Sequence, residues 1–121
     1  MSDCQPPVDI RSATKDEYVT VRSIVNAALL DVAPGALRRS SVLVAVADER
    51  ILGALVLRGS EIDAIAVRPG RRGQGIGRAL VETAAKRRPY LLAVFDPAVR
   101  PFYFSLDFDV RCSDGRCRGR F

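Results

Sequence analysis

The stretch Glu61-Ile62-Asp63-Ala64-Ile65-Ala66-Val67-Arg68-Pro69-Gly70-Arg71-Arg72-Gly73-Gln74-Gly75-Ile76-Gly77-Arg78 decides the fold of this chain. Its first seven residues are an apolar run that reads as a strand. Arg68 to Arg72 form a polar, basic loop, and three glycines at alternate positions follow. From Gly77 to Arg88 the spacing of Ile76, Leu80, Val81 and Ala84 gives a helix with one apolar stripe, stopped by Pro89. A helix start exposes unpaired N–H groups and the positive end of the helix dipole, so it attracts phosphate. Glycine lets the backbone approach a pyrophosphate that a side chain would hold away. Arg71, Arg72 and Arg78 flank this cradle and can add charge-assisted hydrogen bonds. The spacing is not G-x-G-x-x-G, and no Gly-Lys-Ser/Thr follows, which argues against a dinucleotide fingerprint and a P-loop. The plain alternative is a glycine-rich helix start with no ligand.

Working outward, Ser41 to Ala47 and Ile51 to Leu57 read as a hairpin of strands buried on both faces, because their apolarity is nearly continuous. Upstream, Val8 to Arg11 alternates like a short strand. Thr14 and Glu17, three apart, then mark a helix start, and Tyr18, Val21, Val25, Ala28 and Leu29 give that helix one apolar face up to Pro34-Gly35. Downstream, Tyr90 to Phe95 reads as a fifth strand. Asp96-Pro97 reads as an N-cap followed by proline, with a short helix from near Pro101 to Leu106. Val110 to Cys112 and Arg116 to Arg118 flank Ser113-Asp114-Gly115, a hairpin signal that sets Cys112 opposite Cys117. The expected order is β-α-β-β-β-α-β-α-β-β, a mixed, mostly antiparallel sheet flanked by helices.

A chain of 121 residues fits one core, so 1–121 is expected to be a single domain, with 1–7 a disordered tail. Hydrophobic residues at 48% and charged residues at 27% match a soluble globular protein. No run of about 18 apolar residues is present, so no membrane contact is expected. The start, Met1 to Pro7, has neither a basic patch nor an apolar stretch, and a cytoplasmic location is expected. The net charge is +5, and all but Lys15 and Lys86 of the 19 basic residues are arginine. They are scattered rather than blocked, and no nucleic-acid reading motif accompanies them, so no nucleic-acid partner is expected. Cys4, Cys112 and Cys117 match no zinc spacing and there is no histidine, so no metal is expected. The missing histidine also excludes a Ser-His or Cys-His nucleophile pair. In a reducing cytoplasm Cys112 and Cys117 are expected as free thiols.

Two segments together resemble the GNAT superfamily of acyl-CoA-dependent N-acyltransferases. Ile65-Ala66-Val67-Arg68-Pro69, followed by Arg72-Gly73-Gln74-Gly75-Ile76-Gly77, matches that family's Arg/Gln-x-x-Gly-x-Gly/Ala coenzyme motif. Phe102-Tyr103-Phe104-Ser105-Leu106-Asp107-Phe108 looks like its Phe-Tyr-x-x-x-Gly-Phe. The resemblance runs from about Val8 to Phe108. It implies acetyl-CoA as co-substrate, no metal, and acetyl transfer to an unidentified primary amine by direct attack on the thioester. By position it implies that Ile65, Ala66 and Val67 offer backbone groups to the pantetheine arm and thioester. Arg72, Gly73, Gln74, Gly75, Ile76, Gly77 and Arg78 would hold the pyrophosphate, and Asp96 stands where an asparagine often meets the coenzyme arm. Tyr103 would be the general acid for the departing thiolate.

Asp107 replaces the family's usual glycine and therefore needs a left-handed conformation, which Asp tolerates better than most residues. Only Asp31 to Ser40 separates the first helix from the second strand, so the family's second helix is expected to be shortened or missing. Glu61 and Asp63 lie one strand period apart on one face and are the candidate general bases. A rival reading is a catalytically weak acyl-CoA-binding regulatory module that docks on a partner protein. The uncovered terminal strands from Val110 to Phe121 point to a homodimer, or else to a monomer acting on a bulky acceptor such as a protein terminus.

Overall fold

The computed structural model describes residues 8–27, 40–71 and 75–121. The expected disordered tail 1–7, the helix stop at Pro34-Gly35, the shortened second helix and the three residues Arg72, Gly73 and Gln74 lie outside the described residues. In chain order the elements are β1 (Asp9–Ser12), α1 (Tyr18–Ala27), β2 (Ser41–Ala47), β3 (Arg50–Arg58), β4 (Glu61–Val67), α2 (Ile76–Arg87), β5 (Leu92–Phe95), α3 (Arg100–Ser105), β6 (Asp109–Ser113) and β7 (Arg116–Arg120). This is the order read from the sequence. All seven strands form one sheet in the order β1-β2-β3-β4-β5-β7-β6. Every pairing is antiparallel except β4 with β5.

Local chemistry explains the turns. Asp48 and Glu49 join β2 to β3 with φ of 52° and 61°, and Asp114 and Gly115 join β6 to β7 with φ of 53° and 77°. Positive φ at both central residues is the mirror-image turn that suits the twist of a two-residue hairpin. At the start of α1, Thr14 N–H donates to Glu17 Oε1 at 2.9 Å. Arg11 also donates to both oxygens of Glu17 at 2.8 Å, tying β1 to the helix start. That guanidinium holds the Glu17 carboxyl down at about 2.

The sheet is buried on both faces over β2, β3 and β4, as the continuous apolar runs require. On one face Val21, Ile24 and Val25 of α1 pack on Val42, Val44, Ala54, Val56, Ala64 and Ala66. On the other, Ile76, Leu80, Val81 and Ala84 of α2 pack on Leu43, Leu55, Leu57, Ile62 and Ile65. Phe95, Tyr103, Leu106 and Phe108 extend this second core beyond β5. Two expectations need correction. The fifth strand begins at Leu92, because Arg88 and Pro89 still complete the exit from α2 and leave Tyr90 exposed ahead of the sheet. Cys112 and Cys117 are joined as a disulfide rather than kept as free thiols, since the β6–β7 register sets them directly opposite each other.

Candidate active site at the opening between β4 and β5

The parallel pair β4–β5 is short. Only Glu61 with Leu92 and Ile62 with Ala93 are in register, and beyond them β5 stays with β7 while β4 stays with β3. The two strands therefore part toward their carboxyl ends. In an open sheet, the crevice outside the carboxyl ends of parallel strands that part is where ligands bind. The crossover through α2, which joins the parallel pair, brings a helix N-terminus to that crevice.

Three contacts fix the first turn of α2. Ile76 rests on β3 at Gly53, where an added Cβ would lie 3.0 Å from Ala66 O and 3.2 Å from Ile76 Cγ2. Gly77 faces the Phe102 ring, which would lie 3.6 Å from a Cβ there. Arg78 donates to Asp107 Oδ2 at 3.0 Å and to the Ser105 carbonyl, joining α2 to the end of α3. The guanidinium expected at the pyrophosphate is thus held by α3, and what Arg78 presents at the helix start is its backbone. Gly75 is the N-cap with φ of 81° and open space on its Cβ side. The helix begins with Ala79 N–H donating to Gly75 C=O at 3.0 Å, while the amides of a first turn have no intrahelical acceptor. Arg68 secures the entry to this loop, its backbone N–H donating to Leu52 C=O at 2.8 Å and its Nε to Ile51 C=O at 2.7 Å.

Tyr103 stands at the carboxyl end of β5. Asp96 caps the turn after β5, with Oδ1 accepting from Ala98 N–H at 2.9 Å, so the expected N-cap is present. The Tyr103 ring stacks on Phe95 at 4.1 Å and meets Phe102 and Phe108 edge-on at 5.3 and 5.2 Å. It is 7% exposed. Burial pushes its phenol up to about 12, so it stays protonated throughout the neutral range. Among the described residues its hydroxyl makes no hydrogen bond. Asp107 has the left-handed φ, 69°, that replacing glycine requires.

Glu61 and Asp63 share one partner, missed in the sequence reading: Arg58 approaches Asp63 Oδ1 at 3.3 Å and Glu61 Oε2 at 3.7 Å. The spacing of Arg58 and Glu61 was its only signal. Asp63 is the extra residue where the register with β3 shifts between Val56 and Leu57, a β-bulge beside the point where β4 and β5 part. Ile65 and Ala66 are buried on the far side of that bulge.

The chain is thus a seven-stranded mixed sheet with one parallel pair parting beside a helix start and a buried tyrosine. The profile of the acetyltransferase (GNAT) domain matches residues 38–110, and the chain belongs to that family. A GCN5-related N-acetyltransferase from Rhodopseudomonas palustris aligns over 99% of this chain and 97% of its own, with a TM-score of 0.75 and 15% identity. An acetyltransferase from Bacillus subtilis in complex with CoA aligns over 97% and 98%, with a TM-score of 0.72 and 16% identity. Naa50 of Arabidopsis thaliana, in complex with the bisubstrate analogue CoA-Ac-MVNAL, aligns over 93% and 96%, with a TM-score of 0.73 and 15% identity. No curated protein matches in sequence. No described helix is long and apolar enough to cross a membrane.

Proposed function

We propose that this chain transfers an acetyl group from acetyl-CoA to a primary amine. The observation that carries the reading is the parting of β4 and β5 beside an N-terminal helix turn capped by Gly75, whose Cβ side is open. Acetyl-CoA fits this arrangement: the amides of Ile76, Gly77 and Arg78 suit a pyrophosphate, and the backbone of Ile65, Ala66 and Val67 borders the opening where the acyl arm would lie. Arg72, Gly73 and Gln74 join this set on the sequence motif alone. When bound, acetyl-CoA supplies an activated acyl group as a thioester, open to direct attack by the amine.

The chain's own residues then handle protons. Glu61 or Asp63 takes a proton from the substrate ammonium, directly or through water, and the neutral amine then attacks the thioester carbonyl. Tyr103 donates its hydroxyl hydrogen to the departing sulfur. With its phenol near 12 and an ordinary thiol near 8.5, the donated hydrogen bond stabilises the thiolate more than full proton transfer would. Asp96 acts by fixing the turn that carries Tyr103. The proposal keeps the cytoplasmic location and a homodimer through the C-terminal strands, where β6 is an edge of the sheet.

Calorimetry with acetyl-CoA tests the reading. Gly75→Glu sets a carboxylate beside the pyrophosphate position, at a φ that side chains disfavour, and should abolish binding. Unchanged affinity in that variant would sink the coenzyme site. Coenzyme binding without thiol release across an amine panel would favour the regulatory-module reading instead.

A further inference from the structure

Helix α1 covers the face of β2, β3 and β4 opposite α2, but no described element covers the same face of β5, β7 and β6. Register identifies what that face carries. Cys117 and Gly119 turn toward Phe95 and Phe108, so Arg116, Arg118 and Arg120 turn the other way. Their partners on β6 and β5 turn with them, and the rows across the sheet are Leu92–Arg120–Asp109 and Val94–Arg118–Arg111. The parallel register continues the first row to Glu61 on β4. The surface is a shallow depression of about 660 Å³ that includes four arginines against two aspartates, Asp109 and Asp114.

These arginines are largely uncommitted. Among the described residues Arg116 and Arg118 make no ion pair, Arg120 lies 5.2 Å over the Tyr90 ring, and Arg111 meets Asp109 only at 3.9 Å. Leu92 and Val94 beside them are 40% and 43% exposed. Guanidinium groups pair with carboxylates in a planar, two-point geometry. Four of them spread along two strands, without side walls, suit an extended chain carrying several carboxylates better than one small anion.

Resting on the transferase reading above, we propose that this face docks an acidic polypeptide whose terminal amine is the acetyl acceptor. Strands lie about 4.8 Å apart, which sets Arg120 roughly 10 Å and Arg111 roughly 14 Å from β4 and the carboxylates of Glu61 and Asp63. An extended peptide advances about 3.3 Å per residue. Its side chains alternate between two faces, so a peptide with its amine at Glu61 and Asp63 brings its fourth and sixth side chains, about 10 and 17 Å along, to the arginines on one face, and acidic residues are selected there.

The probes are synthetic peptides with a free N-terminus and a dye at the other end: Ala-Ala-Ala-Glu-Ala-Asp followed by a neutral tail, the Ala-Ala-Ala-Gln-Ala-Asn counterpart, and an isomer with the acids in the third and fifth positions, which face the other way. Fluorescence anisotropy in the presence of CoA reads binding without requiring turnover, and thiol release reads KM. The Ala-Ala-Ala-Glu-Ala-Asp peptide should bind about ten-fold more tightly than either control, from two exposed charge pairs together, and the gap should close at high salt. Arg118→Glu with Arg120→Glu should abolish the preference, and the milder pair Arg118→Gln with Arg120→Gln should reduce it, with CoA affinity by calorimetry retained in both. Equal binding of the three peptides, or a preference that survives charge reversal, overturns the proposal. So does a dimer that the charge reversal dissociates, or tighter binding of duplex DNA or phosphatidylserine vesicles to the same arginines. Loss of CoA binding by the unaltered chain would overturn the transferase reading itself, a separate result.

Discussion

Asp107 closes α3 in a geometry normally given to glycine, and substitutions there separate backbone conformation from charge. Phe108 N–H donates to Tyr103 C=O at 3.2 Å and Asp107 N–H to Phe104 C=O at 3.1 Å, the two bonds of a Schellman helix end with its left-handed residue at Asp107. The accompanying apolar contact is the edge-on pair of Phe108 and Tyr103. Left-handed backbone costs an ordinary residue about 1–2 kcal/mol, and less for Asp. The Arg78 pair offsets part of this, but with the Asp107 side chain 75% exposed its share is at most about 0.5 kcal/mol. Asp107→Ala loses the pair and the tolerance of Asp, roughly 1 kcal/mol together. Asp107→Val adds β-branching at positive φ and should cost about 2 kcal/mol or more. Asp107→Gly relieves the strain, loses the pair and gains unfolded-state entropy, so it should stay within about 0.5 kcal/mol of the parent. At about 2.1 cal/mol/K per residue, 1 kcal/mol moves Tm by about 4 °C in a chain of this size. Urea and thermal unfolding should order the series Gly near Asp, then Ala, then Val. A glycine variant as unstable as the valine one would refute the backbone argument and assign the position to its ion pair, with Arg78→Ala reproducing the loss.

Tyr103→Phe keeps the stacked ring and removes the hydrogen donor, so turnover should fall by about 10²–10⁴-fold with coenzyme affinity held; wild-type turnover would end the proton-donor role. Because the phenol sits near 12, the parent enzyme should show no loss of kcat from its ionisation up to about pH 10.5. An alkaline limb that Tyr103→Phe removes would contradict its burial. Glu17 has its folded carboxyl near 2 against an unfolded 4.5, so its stabilisation is full above pH 4.5 and lost as pH falls toward 2. The gap in urea midpoint between the parent and Glu17→Gln should narrow across that window; a constant gap would show that the pairing with Arg11 contributes nothing.

The order of strands and helices was legible because each depends on signals within a few residues. The mirror-image turn at Asp114-Gly115, the Asp96 cap and the apolar runs of β2 and β3 are such signals. Of the candidate site residues, the glycine helix start and Tyr103, singled out by motif, fall at one opening in the sheet. What the sequence could not show are the links across distance. Nothing near Arg78 announces Asp107, 29 residues away, and its guanidinium links α2 to the end of α3. Gly77 was read as room for a ligand, yet it also lets the Phe102 ring close on α2. Composition counted the arginines of β7 but could not set them on one face beside the opening, because that needs the register of three strands.

The bulge at Asp63 is the sharpest case. Strict alternation along β4 would turn Ile62, Ala64 and Ala66 to one face, and Asp63 and Ile65 to the other. In the structure Ile62 and Ile65 share the α2 core, and Ala64 and Ala66 lie under α1. One extra residue opposite Leu57 makes this possible. It lets the large side chains before and after it fill the same core while the small ones admit α1 closely. It also keeps the Asp63 carboxylate on Arg58 and out of both cores. The added twist of a bulge falls where β4 leaves β5, so the feature that sorts the side chains also lies where the sheet opens. The face that carries α2 and Tyr103 and the face that carries Glu61 and the arginines of β7 are then opposite faces of one sheet, on either side of that opening.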